Sequence, residues 1–159
     1  MLFRSLSHLW LGWGFAIAPV GGYLAVSGAW STPWWLLLLI AGAVAFRVSG
    51  FDTLYALQDE DFDRRNGLRS IPVLLGAGRA ILLARVFHML AVALLVAFGV
   101  AAGFGSIFSA AVVAAALLLA WEHRLVVVGD YARLDAAFFT MNGIISAVVA
   151  LGAIADATI

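Results

Sequence analysis

The sequence lacks cysteine and lysine altogether and carries little charge of either sign. Without cysteine, disulfide bonds and thiolate metal sites are excluded. Its nine basic residues, all of them arginine, are balanced by nine acidic residues. Since nucleic-acid binding shows as a basic face and an excess of positive charge, we expect no nucleic-acid partner.

Apolar residues make up most of what remains. Of the 159 residues, 65% are hydrophobic and only 11% are charged, and the mean hydropathy is +1.07. Soluble domains carry about a quarter charged residues, and a chain this short cannot bury so much apolar surface within itself. The composition therefore predicts an integral membrane protein whose partner is the lipid bilayer.

Five apolar stretches are long enough to cross a bilayer as helices, which takes about 20 residues. They are residues 9–28, 33–57, 80–103, 104–121 and 136–156. The prediction is an all-α, polytopic transmembrane helix bundle of about five helices, with residues 1–159 as a single domain. Between the second and third stretches, Asn66-Gly67 predicts a helix end, and Ser70 followed by Pro72 predicts a new start.

Arginines in the loops predict the topology. If each stretch crosses the membrane once, seven of them fall on one side: Arg4, Arg64, Arg65, Arg69, Arg79, Arg124 and Arg133. By the positive-inside rule this side is cytoplasmic. We expect a multi-pass protein of the bacterial inner membrane whose C-terminus is outside. Glu122, His123 and Asp130 are predicted to form a solvated cytoplasmic loop, and Asp156 to be exposed near the outer end.

Five of the nine acidic residues lie within residues 51–63, at the predicted cytoplasmic end of the second span. On an uninterrupted helix, Asp52, Asp59 and Asp63 fall within a stripe roughly 40° wide, with Tyr55 beside them. Glu60 and Asp61 point elsewhere. The pattern predicts a column of carboxylates that enters the membrane from the cytoplasm.

One interpretation of this run is a membrane helix that ends in a solvated acidic loop. It does not account for Asp52, because an ionisable group inside a span is costly and usually faces a polar cavity. Nor does it account for like charges stacked on one face, which repel. Carboxylates without cysteine or a nearby histidine suit a hard cation such as Mg²⁺.

Three other classes of protein are weighed against a magnesium-dependent enzyme. A divalent-cation transporter subunit would use the carboxylates as an ion path, but the later spans offer few further polar residues. A CDP-alcohol phosphotransferase also uses Asp-x-x-x-Asp, although its motif begins Asp-Gly-x-x-Ala-Arg, which this sequence does not contain. A non-catalytic remnant would only pack against other membrane proteins.

Residues 51–76 carry a family resemblance. They read Phe-Asp-x-x-Tyr-Ala-Leu-Gln-Asp-x-x-Phe-Asp-Arg-Arg-x-Gly-Leu-x-Ser-Ile-Pro-x-x-x-Gly. This pattern resembles the second aspartate-rich motif of the UbiA superfamily, most closely the 4-hydroxybenzoate polyprenyltransferases and their menaquinone-pathway relatives. Ser7-His8-Leu9-x-Leu11-Gly12 and Ala18-Pro19 resemble the start of that family's fifth helix.

The resemblance is to half of a family member. The family has about nine helices and a first motif of the form Asn-Asp-x-x-Asp-x-x-x-Asp, and this sequence contains no Asn-Asp pair. The resemblance therefore implies the C-terminal half of the fold. We expect a fragment that is inactive alone, with a missing N-terminal half carrying the first motif as its partner.

The resemblance also implies a reaction. Family members transfer a polyprenyl group from polyprenyl diphosphate to an aromatic acceptor such as 4-hydroxybenzoate, in ubiquinone or menaquinone biosynthesis. It implies Mg²⁺ as cofactor, with Asp59 and Asp63 as its ligands and Asp52 close to the metal, where it helps to polarise the site.

Four further residues receive roles from the same resemblance. Tyr55 would offer its ring to the allylic cation, although an ordinary interfacial aromatic explains it as well. Arg69, Arg64 and Arg65 are the expected contacts to diphosphate oxygens. Arg69 is favoured, because Arg64 and Arg65 are also explained as topology charges.

Overall fold

The computed structural model of the protein describes residues 7–126 and 134–159, with side chains for residues 7–126 and 140–159. Arg4, Asp130 and Arg133, which entered the topology prediction, lie outside the described residues. The described part is all-α. Its helices are α1 (Ser7–Ser27), α2 (Leu36–Tyr55), α3 (Glu60–Arg65), α4 (Ile71–Leu75), α5 (Ala77–Ala102), α6 (Ser106–Leu125) and α7 (Leu134–Thr158).

Five of these helices are long and apolar enough to cross a membrane: α1, α2, α5, α6 and the Thr140–Thr158 part of α7. The predicted fold class is therefore confirmed. The predicted break between the third and fourth spans is also correct, since α5 ends at Ala102 and α6 begins at Ser106. Gly103 has a φ of 77°, a left-handed conformation that glycine adopts without strain.

The fourth span is longer than predicted, and the loop assignment for Glu122 and His123 is wrong. α6 continues to Leu125, so both residues are helical. Glu122 is 0% exposed, whereas a solvated loop was expected. The apolar stretch ends at Trp121 in the sequence, but glutamate and arginine are good helix formers, so α6 continues one turn beyond the apolar residues.

The described helices fall into two compact units, one ending at Ala91 and the other beginning at Val92. The assignment of residues 1–159 to a single domain stays a prediction. In the first unit, α1 packs on α2 through small residues. Ala16 of α1 is buried with Ala41 and Ala45 of α2. Small side chains let helix backbones approach closely, which is how helices associate in lipid.

Gly12 marks the closest approach of α1 to α2. A Cβ atom at this position would lie closer than 3.0 Å to the carbonyl oxygen of Ala45 and to Oγ of Ser49. Ser49 in turn donates a hydrogen bond to the carbonyl oxygen of His8, at 3.1 Å. Glycine at residue 12 thus holds the beginning of α1 against the second half of α2.

α2 meets α5 in a similar way. A Cβ on Gly50 would lie 2.6 Å from Nε2 of His88, so the imidazole ring occupies the space that a larger residue would need. One turn earlier on α2, the ring of Phe46 lies with its centroid 5.8 Å from that of Phe87, the residue before His88. These contacts pack the second half of α2, where the acidic run begins, against the first half of α5.

In the second unit α6 packs on α7. Ala115 and Leu119 of α6 and Ile145 of α7 are buried together. Phe98, Phe104 and Phe108 form an aromatic cluster around the α5–α6 turn, with the last two rings stacked at 4.6 Å. Apolar side chains therefore form the contact of α6 with α7 at these residues and fill the turn between α5 and α6.

Asp156, near the end of α7, serves as a cap for α6. Its carboxylate accepts hydrogen bonds from the backbone N–H groups of Gly105, Ile107 at 3.1 Å and Phe108 at 3.4 Å. Asp156 is half-buried, so its predicted exposure is wrong in this respect. A carboxylate is favourable here because the first N–H groups of a helix have no partner within the helix.

Candidate acidic site

A polar cavity of about 310 Å³ lies where the end of α2, the following turn and α3 meet the beginning of α1 and the residue before α4. Its described lining residues are Ser7, His8, Asp52, Tyr55, Ala56, Gln58, Asp59, Asp63 and Ser70. The cavity brings together four predicted site residues, namely Asp52, Tyr55, Asp59 and Asp63. Every one of the lining residues belongs to the first unit.

The acidic run is not one continuous helix, so the helical stripe predicted for the carboxylates is wrong in its geometry. α2 ends at Tyr55 and α3 begins at Glu60. Between them the backbone tightens into hydrogen bonds three residues apart, from Leu57 N–H to Leu54 at 3.2 Å and from Gln58 N–H to Tyr55 at 3.1 Å. The three carboxylates still line one cavity, because the turn redirects the chain after Asp52.

α3 ends as the sequence predicted, at Asn66-Gly67. Gly67 has a φ of 66°, and its N–H bonds to the carbonyl of Arg64 at 3.3 Å. The N–H of Leu68 bonds to the carbonyl of Asp63 at 2.8 Å. This is a Schellman arrangement, which closes a helix with glycine in the left-handed conformation. It anchors the backbone of Asp63 and brings Ser70 to the cavity wall.

The three carboxylates differ in exposure. Asp63 is buried, with 1% of its surface exposed, while Asp52 is half-buried and Asp59 is exposed. Glu60 and Asp61 do not line the cavity, in agreement with the sequence prediction. Glu60 instead pairs with Arg64 one turn along α3, at 2.6 Å.

Asp52 is held by a histidine that sequence reasoning missed. His8 Nδ1 lies 2.5 Å from Oδ2 of Asp52, so the expectation that no histidine is near the carboxylates is wrong. His8 is 8% exposed. The two residues are 44 positions apart in the chain, and only the contact of α1 with α2 brings them together. A signal was present in the Ser7-His8-Leu9 resemblance, but nothing in the spacing tied it to the acidic run.

Tyr55 lines the cavity beside an aromatic neighbour. Its ring centroid lies 4.6 Å from that of Phe51, with the planes at 64°. Edge-to-face pairs of this kind fix ring orientation and add about 0.5–1.5 kcal/mol beyond burial. An oriented aromatic face is thus present next to the carboxylates.

The three predicted diphosphate contacts, Arg64, Arg65 and Arg69, are not among the described residues that line the cavity. All three are exposed, and Arg64 is engaged with Glu60. Their contact with diphosphate stays a prediction.

The donor set of the cavity fits a hard cation, with water needed to complete it. Besides His8, the polar side chains of the cavity are three carboxylates, one amide and three hydroxyls, from Asp52, Asp59, Asp63, Gln58, Ser7, Tyr55 and Ser70. Among the described residues, no three His, Asp or Glu side chains lie close enough together to hold a metal ion. Mg²⁺ commonly takes only one or two carboxylates and keeps several waters, so this arrangement is compatible with it.

The fold and the cavity define a polytopic membrane protein with an acidic pocket at the end of its second span. Residues 3–144 match the UbiA prenyltransferase family. The chain therefore belongs to that family, as the aromatic and acidic pattern of residues 51–76 predicted.

Individual relatives agree with this assignment. The chain is 38% identical to a 4-hydroxybenzoate octaprenyltransferase of Alkalilimnicola ehrlichii over 75% of its own length and 39% of the relative's. It is 30% identical to the Aromatoleum aromaticum protein of the same name, over 88% of its own length and 46% of the relative's. It thus spans less than half of these relatives.

A solved structure shows the same fold. The apo structure of a UbiA homolog from Aeropyrum pernix K1 superposes with a TM-score of 0.80 and 32% identity. The match covers 96% of this chain and 56% of that one.

Proposed function

We propose that this chain supplies one half-site of a magnesium-dependent prenyltransferase, which moves a polyprenyl group from its diphosphate to an aromatic acceptor such as 4-hydroxybenzoate. The single observation that supports it most is the cavity at the end of α2, where Asp52, Tyr55, Asp59 and Asp63 meet. Relatives named 4-hydroxybenzoate octaprenyltransferase support the choice of donor and acceptor. The proposed role is in quinone biosynthesis, with ubiquinone the product if the acceptor is 4-hydroxybenzoate and menaquinone the alternative if the acceptor is bicyclic.

Asp59 and Asp63 are the residues that would hold Mg²⁺. Bound there together with the diphosphate, the ion would act as a Lewis acid that neutralises charge on the leaving group. The two carboxylates are suited to holding the ion together with the substrate. Asp63 is buried and its backbone is hydrogen-bonded, whereas Asp59 is exposed and accessible to the substrate. Gln58 and Ser70 add neutral oxygen atoms to the same wall.

The remaining residues of the site act on the substrate itself. Tyr55, oriented by Phe51, presents an aromatic face that attracts an allylic cation as the carbon–oxygen bond breaks. Arg69, with Arg64 and Arg65, would contact diphosphate oxygens, since arginine binds phosphate in a bidentate manner. All three are exposed in the described structure, so substrate must draw their side chains toward the cavity.

The whole reaction needs more than this chain. The chain covers about two fifths of the Alkalilimnicola relative, and a polypeptide with the first aspartate-rich motif is the proposed partner. The proposed location is the bacterial inner membrane, with the acidic cavity on the cytoplasmic side and the C-terminus outside. The arginines that follow the cavity in sequence support this orientation.

Binding of Mg²⁺ with inorganic pyrophosphate to the purified chain, measured by calorimetry in detergent, tests the proposal. We expect Asp59→Asn and Asp63→Asn each to weaken Mg²⁺ binding at least about tenfold. Two unit charges 4 Å apart interact by about 1 kcal/mol even in bulk water, the value doubles for a divalent ion, and 1.4 kcal/mol is tenfold. Asp61→Asn is the matched control, because Asp61 is exposed and outside the cavity.

Two results would contradict the proposal. If Asp61→Asn weakens binding as much as Asp59→Asn, the effect is one of overall charge. If Mg²⁺ binds equally well with and without pyrophosphate, the carboxylates form a cation path, as in a transporter. A prenyl-transfer assay with geranyl diphosphate and 4-hydroxybenzoate, run with and without the first-motif polypeptide, then tests the chemistry.

A further inference from the structure

His8 is a buried polar residue to which the proposed function gives no role. It lies at the second position of α1 and is 8% exposed. Its Nδ1 is 2.5 Å from Oδ2 of Asp52, within hydrogen-bonding distance. The contact is a hydrogen bond in the imidazole tautomer that carries its proton on Nδ1, with the carboxylate oxygen of Asp52 as the acceptor.

The position of His8 is set by the backbone as well as by its ring. Ser49 Oγ donates to the carbonyl oxygen of His8 at 3.1 Å, and Gly12, one turn further along α1, lies directly against Ser49. The carbonyl oxygen of Ser49 in turn accepts a buried hydrogen bond from Thr53 Oγ1, one turn later on α2, at 2.7 Å. His8 and Asp52 thus lie on two helices, α1 and α2, that are packed closely and hydrogen-bonded to each other next to the cavity.

The hydrogen bond from His8 distinguishes Asp52 from the other two carboxylates of the cavity, those of Asp59 and Asp63. One carboxylate oxygen of Asp52, Oδ2, is engaged by the imidazole, so the orientation of this carboxylate is set by His8 and not by a ligand in the cavity. Asp59 and Asp63, in contrast, follow one another on the turn and α3, with Asp63 N–H bonded to the Asp59 carbonyl at 2.8 Å.

We propose that His8 is a positioning residue that holds Asp52 by one carboxylate oxygen, so that Asp52 stays outside the metal's ligands and faces the substrate as a fixed, oriented charge. The inference rests on the proposed function for the identity of the metal and substrate. A carboxylate held in this way beside Tyr55 attracts developing positive charge without having to reorganise. Asp52 and Asp59 then have different tasks, although both are aspartates of one motif.

Nitrogen NMR of the whole chain in detergent, with ¹⁵N-labelled histidine and no ligand, tests the pairing. The chain has three histidines, so three imidazole rings report. We expect one ring to be protonated at Nδ1 and strongly hydrogen-bonded, to vanish in His8→Asn, and to shift in Asp52→Asn. Asp61→Asn, the matched control, should leave all three rings unchanged. A His8 ring that does not respond to Asp52→Asn overturns the proposal, whatever the protein binds.

The division between carboxylates is tested by Mg²⁺ binding in the presence of inorganic pyrophosphate. We expect Asp52→Asn to lower the Mg²⁺ affinity by about fivefold or less, through loss of its charge alone, whereas Asp59→Asn and Asp63→Asn remove a ligand as well and lower it about tenfold or more. An equal loss in Asp52→Asn would make Asp52 a ligand and overturn the proposal. If the unaltered chain binds no Mg²⁺ with pyrophosphate, the proposed function of the chain fails, and the NMR result still decides whether His8 holds Asp52.

Two substitutions of His8 separate positioning from simple packing. Asparagine places an amide N–H near the position of Nδ1, while glutamine reaches the position of Nε2. We expect His8→Asn to keep the orientation of Asp52 and His8→Gln to lose it. In a chain joined with the first-motif polypeptide, turnover should fall about tenfold or more for His8→Gln with little change in the apparent affinity for Mg²⁺. Equal losses in both variants would indicate packing alone.

Discussion

Replacing Gly12 by alanine tests whether the close approach of α1 to α2 builds the acidic cavity. An added Cβ would come within 3.0 Å of Ala45 O and Ser49 Oγ, whereas ordinary contact begins at 3.4 Å. The helices must therefore separate by roughly 1 Å at this point to restore ordinary contact. Gly14→Ala is the matched control, since a Cβ there meets nothing within 4 Å.

The two variants differ by the clash alone. Both exchange glycine for alanine within α1, and each gains the same helix propensity, about 1 kcal/mol at most. Only Gly12→Ala also overpacks a helix contact, which typically costs about 1–3 kcal/mol. We expect Gly14→Ala to be neutral or slightly stabilising, and Gly12→Ala to be less stable than Gly14→Ala by about 1–3 kcal/mol.

Two measurements check this expectation. Denaturant unfolding in detergent micelles, followed by far-ultraviolet circular dichroism, reports stability through the loss of helix. The histidine NMR signal of His8 reports the site, because a displaced α1 lengthens the bond from His8 to Asp52. Gly12→Ala should alter this signal, and Gly14→Ala should not.

Equal unfolding free energies for the two variants would refute the reasoning. So would an unchanged His8 signal in a folded Gly12→Ala protein, since the cavity would then not depend on the spacing of α1 and α2. If Gly12→Ala lowers the stability and also shifts the NMR signal of His8, the shift has two possible causes: separation of α1 from α2, or loss of the hydrogen bond from Ser49. The variant Ser49→Ala distinguishes them. It removes the hydrogen bond to the His8 carbonyl without adding volume.

Two further predictions concern helix contacts away from the cavity. Asp156→Ala should lower the free energy of unfolding by about 1–2 kcal/mol, as loss of a helix cap does. Thermal unfolding followed by circular dichroism measures this loss. The control Asp61→Ala should have little effect, and equal effects of the two variants would exclude capping. Gly50→Ala should destabilise the protein by about 1–3 kcal/mol, because the new Cβ meets the ring of His88. Gly78→Ala, where a Cβ meets nothing within 4 Å, is its control, and equal stability in the two variants would contradict the packing at Gly50.

The spans followed from composition and length, because each stretch of about 20 apolar residues has to satisfy its own backbone when it lies in lipid. The helix ends that glycine and asparagine determine were also predictable. Gly67 closes α3 and Gly103 closes α5 with left-handed backbones, and both positions are chemically marked in the sequence. The end of α6 was not, since its last turn is polar and Glu122 is buried by its surroundings.

The membership of the acidic site was only partly predictable. Asp52, Asp59, Asp63 and Tyr55 were predicted together, and they do line one cavity. The assumption of a continuous helix was wrong, because the turn after Tyr55 contains no proline or glycine to mark it. The turn matters little for the outcome, since both a straight helix and the observed turn direct the three carboxylates to one side.

By itself, the sequence determined that the chain is an all-α membrane protein, where its spans lie, and which acidic run defines its family. Those properties depend on residue type and on neighbours within a few positions. The tertiary structure alone decided that His8 holds Asp52 and that Asp156 caps α6. Each of these contacts joins residues more than 40 positions apart, and no local periodicity records such a distance. They exist because the packing of one helix on another, at Gly12 for the first and between α6 and α7 for the second, brings their side chains within hydrogen-bonding reach.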